Sequence, residues 1–418
     1  MPSTPQDVSL FTYNGSLLIN VTSTLALLPV DNARISISYT GENNRILEEL
    51  STDSSGQSGI ISLPAPNPEL SQSPQDIRPY SEYDISVSAD GYYPLTITGS
   101  QIFADSEAIQ NIRLTPLEFT ETSSNIIIPD HTLYGDFPPK IPESEIKPID
   151  ESGEIVLSRV VIPEYIIVHD GVPDDSSAKN YYVPYKDYIK NVASCEIYST
   201  WSENTLYANI LCIMSFALNR VYTEWYRNRG YDFTITSSTA YDQKWVYGRT
   251  IYQNIDYLVD SIFANYLSRP GVRQPIFTSF CDGKRVTCSG LSQWGSKYLG
   301  DEGYTPIEII RYYFGNDMFI NTAQLISGVP SSYPGYVLTI GSSGNKVRQM
   351  QEQLNRIAQN YPALPTITAD GVFGERTAEA VRTFQKIFSL PQTGEVDYPT
   401  WYEISDIYVG VSQISEPQ

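Results

Sequence analysis

Seven prolines between positions 116 and 163 (Pro116, Pro129, Pro138, Pro139, Pro142, Pro148 and Pro163) constrain this chain more than any other feature. Proline fixes φ and has no amide hydrogen, so at this density neither a helix nor a central strand can cross the segment. Residues 116–165, which include FPPKIPESEIKPIDESGEIVL, therefore read as an extended acidic connector. Exposed connectors are where proteases cut. A chain of 418 residues is also too long for one ordinary core.

The patterning differs on the two sides. Residues 1–115 alternate with period two (SLLINVTS, ARISISYTG, YDISVSADGYYPLTITG) between Gly, Pro, Asp and Asn, which predicts a small β-sandwich. Residues 166–330 are mixed. Leu206, Ile210, Ile213, Ala217 and Val221 fall at helical spacing behind Ser202 as N-cap. A second helical pattern covers 251–267, and a third covers 305–313, where Thr305 precedes a first-turn proline. Residues 335–407 carry two amphipathic patterns, one on Val347, Gln351, Leu354 and Ile357 and one on Thr377, Ala380, Val381 and Phe384. With Gly-rich turns between them they predict a compact three-helix domain.

Composition excludes several functions. A net charge of −21, with no lysine before Lys140, opposes binding to nucleic acid, whose phosphates need clustered Lys and Arg. No apolar run is long enough to span a membrane, and the N-terminus MPSTPQDVSLFTYNG reads as no secretory signal. The two histidines, His131 and His169, and the four cysteines form no ligand set at metal-binding spacing, so neither a metal nor another cofactor is expected. His169 remains the one base available to a nucleophile triad.

One carboxylate stands out. In NVASCEIYSTW, Glu196 lies among Val192, Ala193, Cys195 and Ile197, just before Trp201. It is either a surface residue at a helix edge or a catalytic acid whose pKa apolar neighbours raise.

Three longer motifs carry resemblances. TDSSGQSGIISLP followed by YDISVSADGYYPLTI resembles the transthyretin-like, carboxypeptidase-regulatory module. In residues 341–355, 370–385 and 393–401 the chain closely resembles the peptidoglycan-binding domain of cell-wall hydrolases, with Met350 replacing the usual leucine. Within it Asp370, Phe373 and Gln385 are the candidate wall contacts, although Gly371, Gly374 and Gly394 suit turns and Phe373, Val381 and Phe384 suit a core. The middle region resembles the SpoIID/LytB family in three blocks: YIKNVASCEIYSTWSENTLYANILCIMSFAL, STAYDQKWVYG and SGLSQWGSKYLGDEGYTPIEIIRYYFG.

That resemblance implies a catalytic role for Glu196, in a cleft lined by Trp201, Asp242, Gln243, Tyr247, Ser292, Gln293 and Trp294. The chain departs from the family pattern at Met214, where an arginine is usual, and at Cys288-Ser289-Gly290, where G-H-G is usual. The zinc-binding Cys and His of some members are missing. Cys281 and Cys288 flank the altered loop and form either a disulfide or two free thiols.

The order of modules resembles the clostridial germination-specific spore cortex-lytic enzymes of SleC type. It implies a multidomain fold: an all-β transthyretin-like sandwich at 1–115, a connector at 116–165, an α+β SpoIID-like catalytic domain at 166–330 and a peptidoglycan-binding domain at 335–407. The implied function is a lytic transglycosylase on spore cortex peptidoglycan, located in the extracytoplasmic cortex and coat region. It would be stored as a proenzyme and activated by a subtilisin-like protease. We expect the activating cut close to Val160–Val161, where polar connector gives way to an apolar strand. Asp242 and Glu203 are the candidates for a second carboxylate. The alternative is a non-catalytic wall-binding protein that stimulates an amidase, or a wall scaffold.

Overall fold

The computed structural model describes residues 7–412, apart from 26, 43–44, 120–123, 148–159, 324 and 327–332. The chain divides into two compact units. One comprises Met1–Ala65, Tyr80–Ile128 and Gly328–Gln418, and the other Pro66–Pro79 and Pro129–Ser327. The fold is multidomain α+β.

The alternating N-terminal segments form strands β1 (Tyr13–Ser23), β2 (Arg34–Tyr39), β3 (Ile46–Ser51), β4 (Gln57–Ala65), β5 (Ser81–Ser88), β6 (Leu95–Ile102) and β7 (Glu107–Leu114), and an eighth strand, β8 (Ser124–Ile127), comes from the 116–165 segment read as connector. β1 pairs antiparallel with β4 and parallel with β7. A second sheet runs β3-β2-β5-β6-β8, antiparallel except for the last pair. Because strand side chains alternate between faces, Leu17, Ile19 and Val21 of β1 turn inward together, as do Ile35 and Ile37 of β2, and all five are buried.

In the other unit, β9 (Val161–Ile162) pairs parallel with Leu325–Ile326, and β10 (Tyr165–His169) lies between β11 (Asn180–Pro184) and β12 (Ile235–Thr236). The helices are α1 (Tyr185–Glu196), α2 (Glu203–Tyr222), α3 (Gln253–Ile262), α4 (Gln293–Asp301) and α5 (Pro306–Phe314). α2 is buried along nearly its whole length, including Ile210, Ile213, Met214 and Ala217. Ser202 stands at its N-cap, but its hydroxyl meets Thr205 Oγ1 at 2.8 Å rather than capping a backbone amide. α5 has a full capping box between Thr305 and Glu308.

The helical pattern at 251–267 is cut short. After α3 the chain turns into a strand, Asn265–Ser268, paired with Phe319–Thr322, and Leu267 N–H donates to Ser215 Oγ on α2 at 2.7 Å. Pairing partners distant in sequence outweigh the local period there.

Helices α6 (Asn345–Ala358), α7 (Glu375–Ile387) and α8 (Tyr398–Ser412) form the C-terminal bundle of the first unit. The bundle and the sandwich share that unit: Gln57 Nε2 donates to Ile387 O at 2.7 Å, and Tyr361 OH to Leu27 O at 3.0 Å.

Over 129–147 the connector forms neither helix nor strand and turns at 132–135, and it does not hang free. Ile141 N–H donates to Ala240 O at 2.7 Å and Phe277 N–H to Glu145 O at 3.0 Å. The remainder of FPPKIPESEIKPIDESGEIVL, positions 148–157, lies outside the described residues.

Candidate active site

Glu196 is the last residue of α1 and is 5% exposed. Its placement depends on a loop pinned to that helix. Asn191 Nδ2 donates to Val246 O at 2.8 Å, Val246 N–H returns to Asn191 Oδ1 at 3.0 Å, and Arg249 Nη2 donates to Ser194 O at 2.8 Å. This holds Lys244 N–H 2.9 Å from Glu196 Oε1. On the other side Gln293 Nε2 reaches both Glu196 O, at 2.9 Å, and Oε2, at 3.2 Å. The carboxylate is thus surrounded by donors rather than by the apolar residues that flank it in sequence.

Gln293 is delivered by the SGLSQWG block. Ser292 caps α4, accepting Gly295 N–H at 3.0 Å, which starts the helix with Gln293 aimed at Glu196. Two glycines allow the close fit: a Cβ at Gly290 would lie 1.9 Å from Ser279 O, and one at Gly295 2.1 Å from Tyr313 Oη. Cys281 and Cys288 are joined in a disulfide with Cα atoms 5.5 Å apart, closing the preceding loop.

Glu196 and Gln293 share a cavity of about 70 Å³ with Asp282, Arg285, Phe280 and Thr239, and also with connector residues Thr132, Phe137, Pro139 and Lys140. That is room for a few waters. The Thr132 hydroxyl lies 2.8 Å from Cys195 O and 3.2 Å from Glu196 Oε2. Lys140 Nζ donates to Thr239 O at 3.3 Å and to Asp242 O, with the rings of Phe216 and Phe280 5.1 and 5.2 Å away. Burial lowers its pKa, against the opposing pull of Glu196 and Asp242.

The other expected cleft residues are placed elsewhere. Asp242 is fully buried and accepts from Arg220 Nε at 2.7 Å, Tyr226 OH at 2.6 Å, and Thr236 N and Oγ1 at 2.9 and 2.7 Å. Gln243 is equally buried, donating to Ile213 O at 3.0 Å and accepting from Tyr188 OH. Trp201 and Trp294 pack against each other with ring centroids 5.0 Å apart, and Trp201 Nε1 donates to Ser71 O at 2.9 Å. Tyr247 is exposed and stacks on Tyr181.

The second carboxylate at the cavity is Asp282, but its oxygens accept the amides of Lys284, Arg285 and Val286. Glu203 is exposed in the first turn of α2. His169 stacks on Phe233, and its Nδ1 lies 2.8 Å from Asn180 Oδ1. Among the described residues no cluster of His, Cys, Asp and Glu could hold a metal, and no helix is long and apolar enough to cross a membrane.

Thr132, Lys140 and Lys244 were not singled out in the sequence. Lys140 is the first lysine of the chain, which was the only signal available. At the expected cut, Val160 is 8% exposed and Val161 opens β9.

In the C-terminal bundle, Phe373 and Gln385 are inside, each 1% exposed. Gln385 accepts Gly394 N–H at 2.8 Å and donates to Glu395 O at 2.9 Å, while Gln351 on α6 does the same with Gly371 N–H and Val372 O. Each glutamine fastens a glycine turn to its helix. Asp370 Oδ1 accepts Val372 N–H at 2.9 Å within the first of those turns.

Among solved structures, the chain is similar to the SleB N-terminal domain, at 33% identity over 18% of this chain and 93% of that one, with a TM-score of 0.15. It is similar to the Bacillus anthracis TIE protein at 14% identity, covering 25% of this chain and 17% of that one, with a TM-score of 0.18. A mutant Acinetobacter radioresistens catechol 1,2 dioxygenase follows at 16% identity, 29% and 60% coverage and a TM-score of 0.18. No curated protein matches the chain. Residues 343–404 match the family described as "Putative peptidoglycan binding domain". That match spans α6, α7 and the start of α8, and it points to a cell-wall related function.

Proposed function

We propose that this protein is a lytic transglycosylase of spore cortex peptidoglycan, kept as a proenzyme until a subtilisin-like protease cuts the chain close to Val160–Val161. The observation that carries the reading is the single carboxylate in the cavity whose oxygens are not held by its own loop, Glu196, positioned by Gln293 and the Lys244 amide.

Ordinary glycosidases divide the work between two carboxylates. A transglycosylase needs one. Glu196 in its acid form protonates the glycosidic oxygen as the bond to C1 of N-acetylmuramate breaks, and positive charge develops at that carbon. The C6 hydroxyl of the same sugar attacks C1, its proton passes to the now ionised Glu196, and a 1,6-anhydro ring closes. Holding the nucleophile within the substrate supplies the entropic advantage, so no bound water need be activated. Gln293, bonded to both the backbone and the side chain of Glu196, fixes the rotamer from which the proton moves in both directions. The peptidoglycan-binding domain would hold the enzyme on insoluble cortex in the spore's outer layers.

Glu196→Gln tests the reading. Processed enzyme with this change should fold, bind wall and release no anhydro product. Near-native turnover in this variant would remove Glu196 from the chemistry.

A further inference from the structure

Residues 129–147 cover Glu196 with contacts of a kind a ligand would make. Beyond the cavity the segment carries two acidic side chains into two arginines. Arg220 Nη1 and Nη2 grip Glu143 Oε2 and Oε1 at 2.9 and 2.6 Å. Arg269 grips Glu145 through Nε and Nη2, the latter at 3.0 Å. Paired forks of this kind are how arginine reads a carboxylate. The backbone is read too: the Gln274 side chain accepts Lys147 N–H and donates to Lys147 O, both at 3.0 Å. The segment is therefore held through both its carboxylates and its backbone, as a bound chain with carboxylates along it would be.

We propose that residues 129–147 occupy the groove through which an anionic glycan strand reaches Glu196, and that Glu145 stands in for a carboxylate of the strand's peptide branches at Arg269. Peptidoglycan has this chemistry: an extended glycan bearing short peptides with free carboxyl groups. The inference rests on Glu196 being the acid, and it deepens that reading by naming what blocks the site and what replaces the block. Glu145 lies five positions beyond Lys140, which is at the cavity, so the carboxylate site is within roughly 17 Å of it along the chain.

Binding can be read without catalysis. The full chain carrying Glu196→Gln and an engineered protease site within 150–158 would be studied intact and nicked. Hydrogen exchange would be followed on adding soluble cortex glycan strands, either with their peptides or stripped by an amidase. After nicking, peptide-bearing strands should protect 274–282 and 239–244; in the intact chain they should protect only the C-terminal bundle. In the nicked chain Arg269→Gln should lower the preference for peptide-bearing over stripped strands by about tenfold, the scale of a lost charge-assisted pair, with Arg269→Lys intermediate.

Equal protection at 274–282 in the intact chain would overturn the proposal. So would protection confined to the bundle after nicking, or a connector that saturating strands fail to displace. An equal effect of Arg269→Gln on both kinds of strand would overturn the carboxylate site. Because Glu196 is already replaced, none of these outcomes depends on whether it is the acid.

Discussion

Asp242 offers the sharpest quantitative test, because sequence position suggested the cleft and the structure turns it inward. Its carboxylate accepts from Arg220, Tyr226 and two groups of Thr236, all between 2.6 and 2.9 Å, and it is fully buried. Removing one member of a buried charge pair costs about 3–5 kcal/mol, because the partner is left uncompensated. Here Glu143 still holds the outer face of Arg220, so Asp242→Asn should cost about 3 kcal/mol, at the lower end of that range. The free thiols Cys195 and Cys212 are buried in α1 and α2 of the same unit and report its opening. Three kcal/mol corresponds to labelling of these thiols roughly a hundredfold faster. Cleavage per folded molecule should fall much less. Unchanged labelling together with abolished cleavage would refute the structural assignment and return Asp242 to the chemistry.

Other expectations are simpler. Replacing Cys281 and Cys288 by serine should destabilise the loop that carries Asp282 and Arg285 by about 2–3 kcal/mol in the chain-entropy model, read as faster proteolysis within 282–288. Gln385→Ala should leave the Gly394 amide without its partner and cost the C-terminal bundle about 1–3 kcal/mol, measured by hydrogen exchange, with weaker sedimentation on insoluble wall. Acid should loosen the connector. Burial alone would raise the pKa of Glu143, but Arg220 and Lys147 outweigh it and hold it below 4.5. Its contribution is complete above the unfolded value and is lost as pH falls through the lower folded value, so protease sensitivity of 129–147 should rise as pH falls below the ordinary carboxylate range.

The parts of this structure legible in sequence are those where local chemistry and tertiary packing agree. The alternation in SLLINVTS and ARISISY gave β1 and β2, and T-P-I-E gave the capped start of α5. The SQWG block placed Gln293 beside Glu196 by resemblance, and the helix cap at Ser292 is the physical reason it arrives there. What escaped is non-local. Proline density says that 129–147 cannot be helix or central strand, but nothing about where an extended chain docks. Its anchoring pairs join positions 77 and 124 residues apart, Glu143 with Arg220 and Glu145 with Arg269. Asp242 escaped for a related reason. Nothing in STAYDQKWVYG distinguishes a carboxylate aimed at a cleft from one aimed at an arginine on the neighbouring helix.

The central claim is a statement about bonds, and the ends of the product strands carry the record of which reaction occurred. Cortex digested by the proteolytically processed protein would be analysed by mass spectrometry for its muramic acid termini. The account predicts 1,6-anhydromuramic ends from the processed enzyme, and none from processed Glu196→Gln or from the intact 418-residue chain. Reducing muramic ends would instead mark hydrolysis by water, and intact glycan with released peptides would mark an amidase or its stimulator. Either result, or anhydro ends from unprocessed chain, would contradict it.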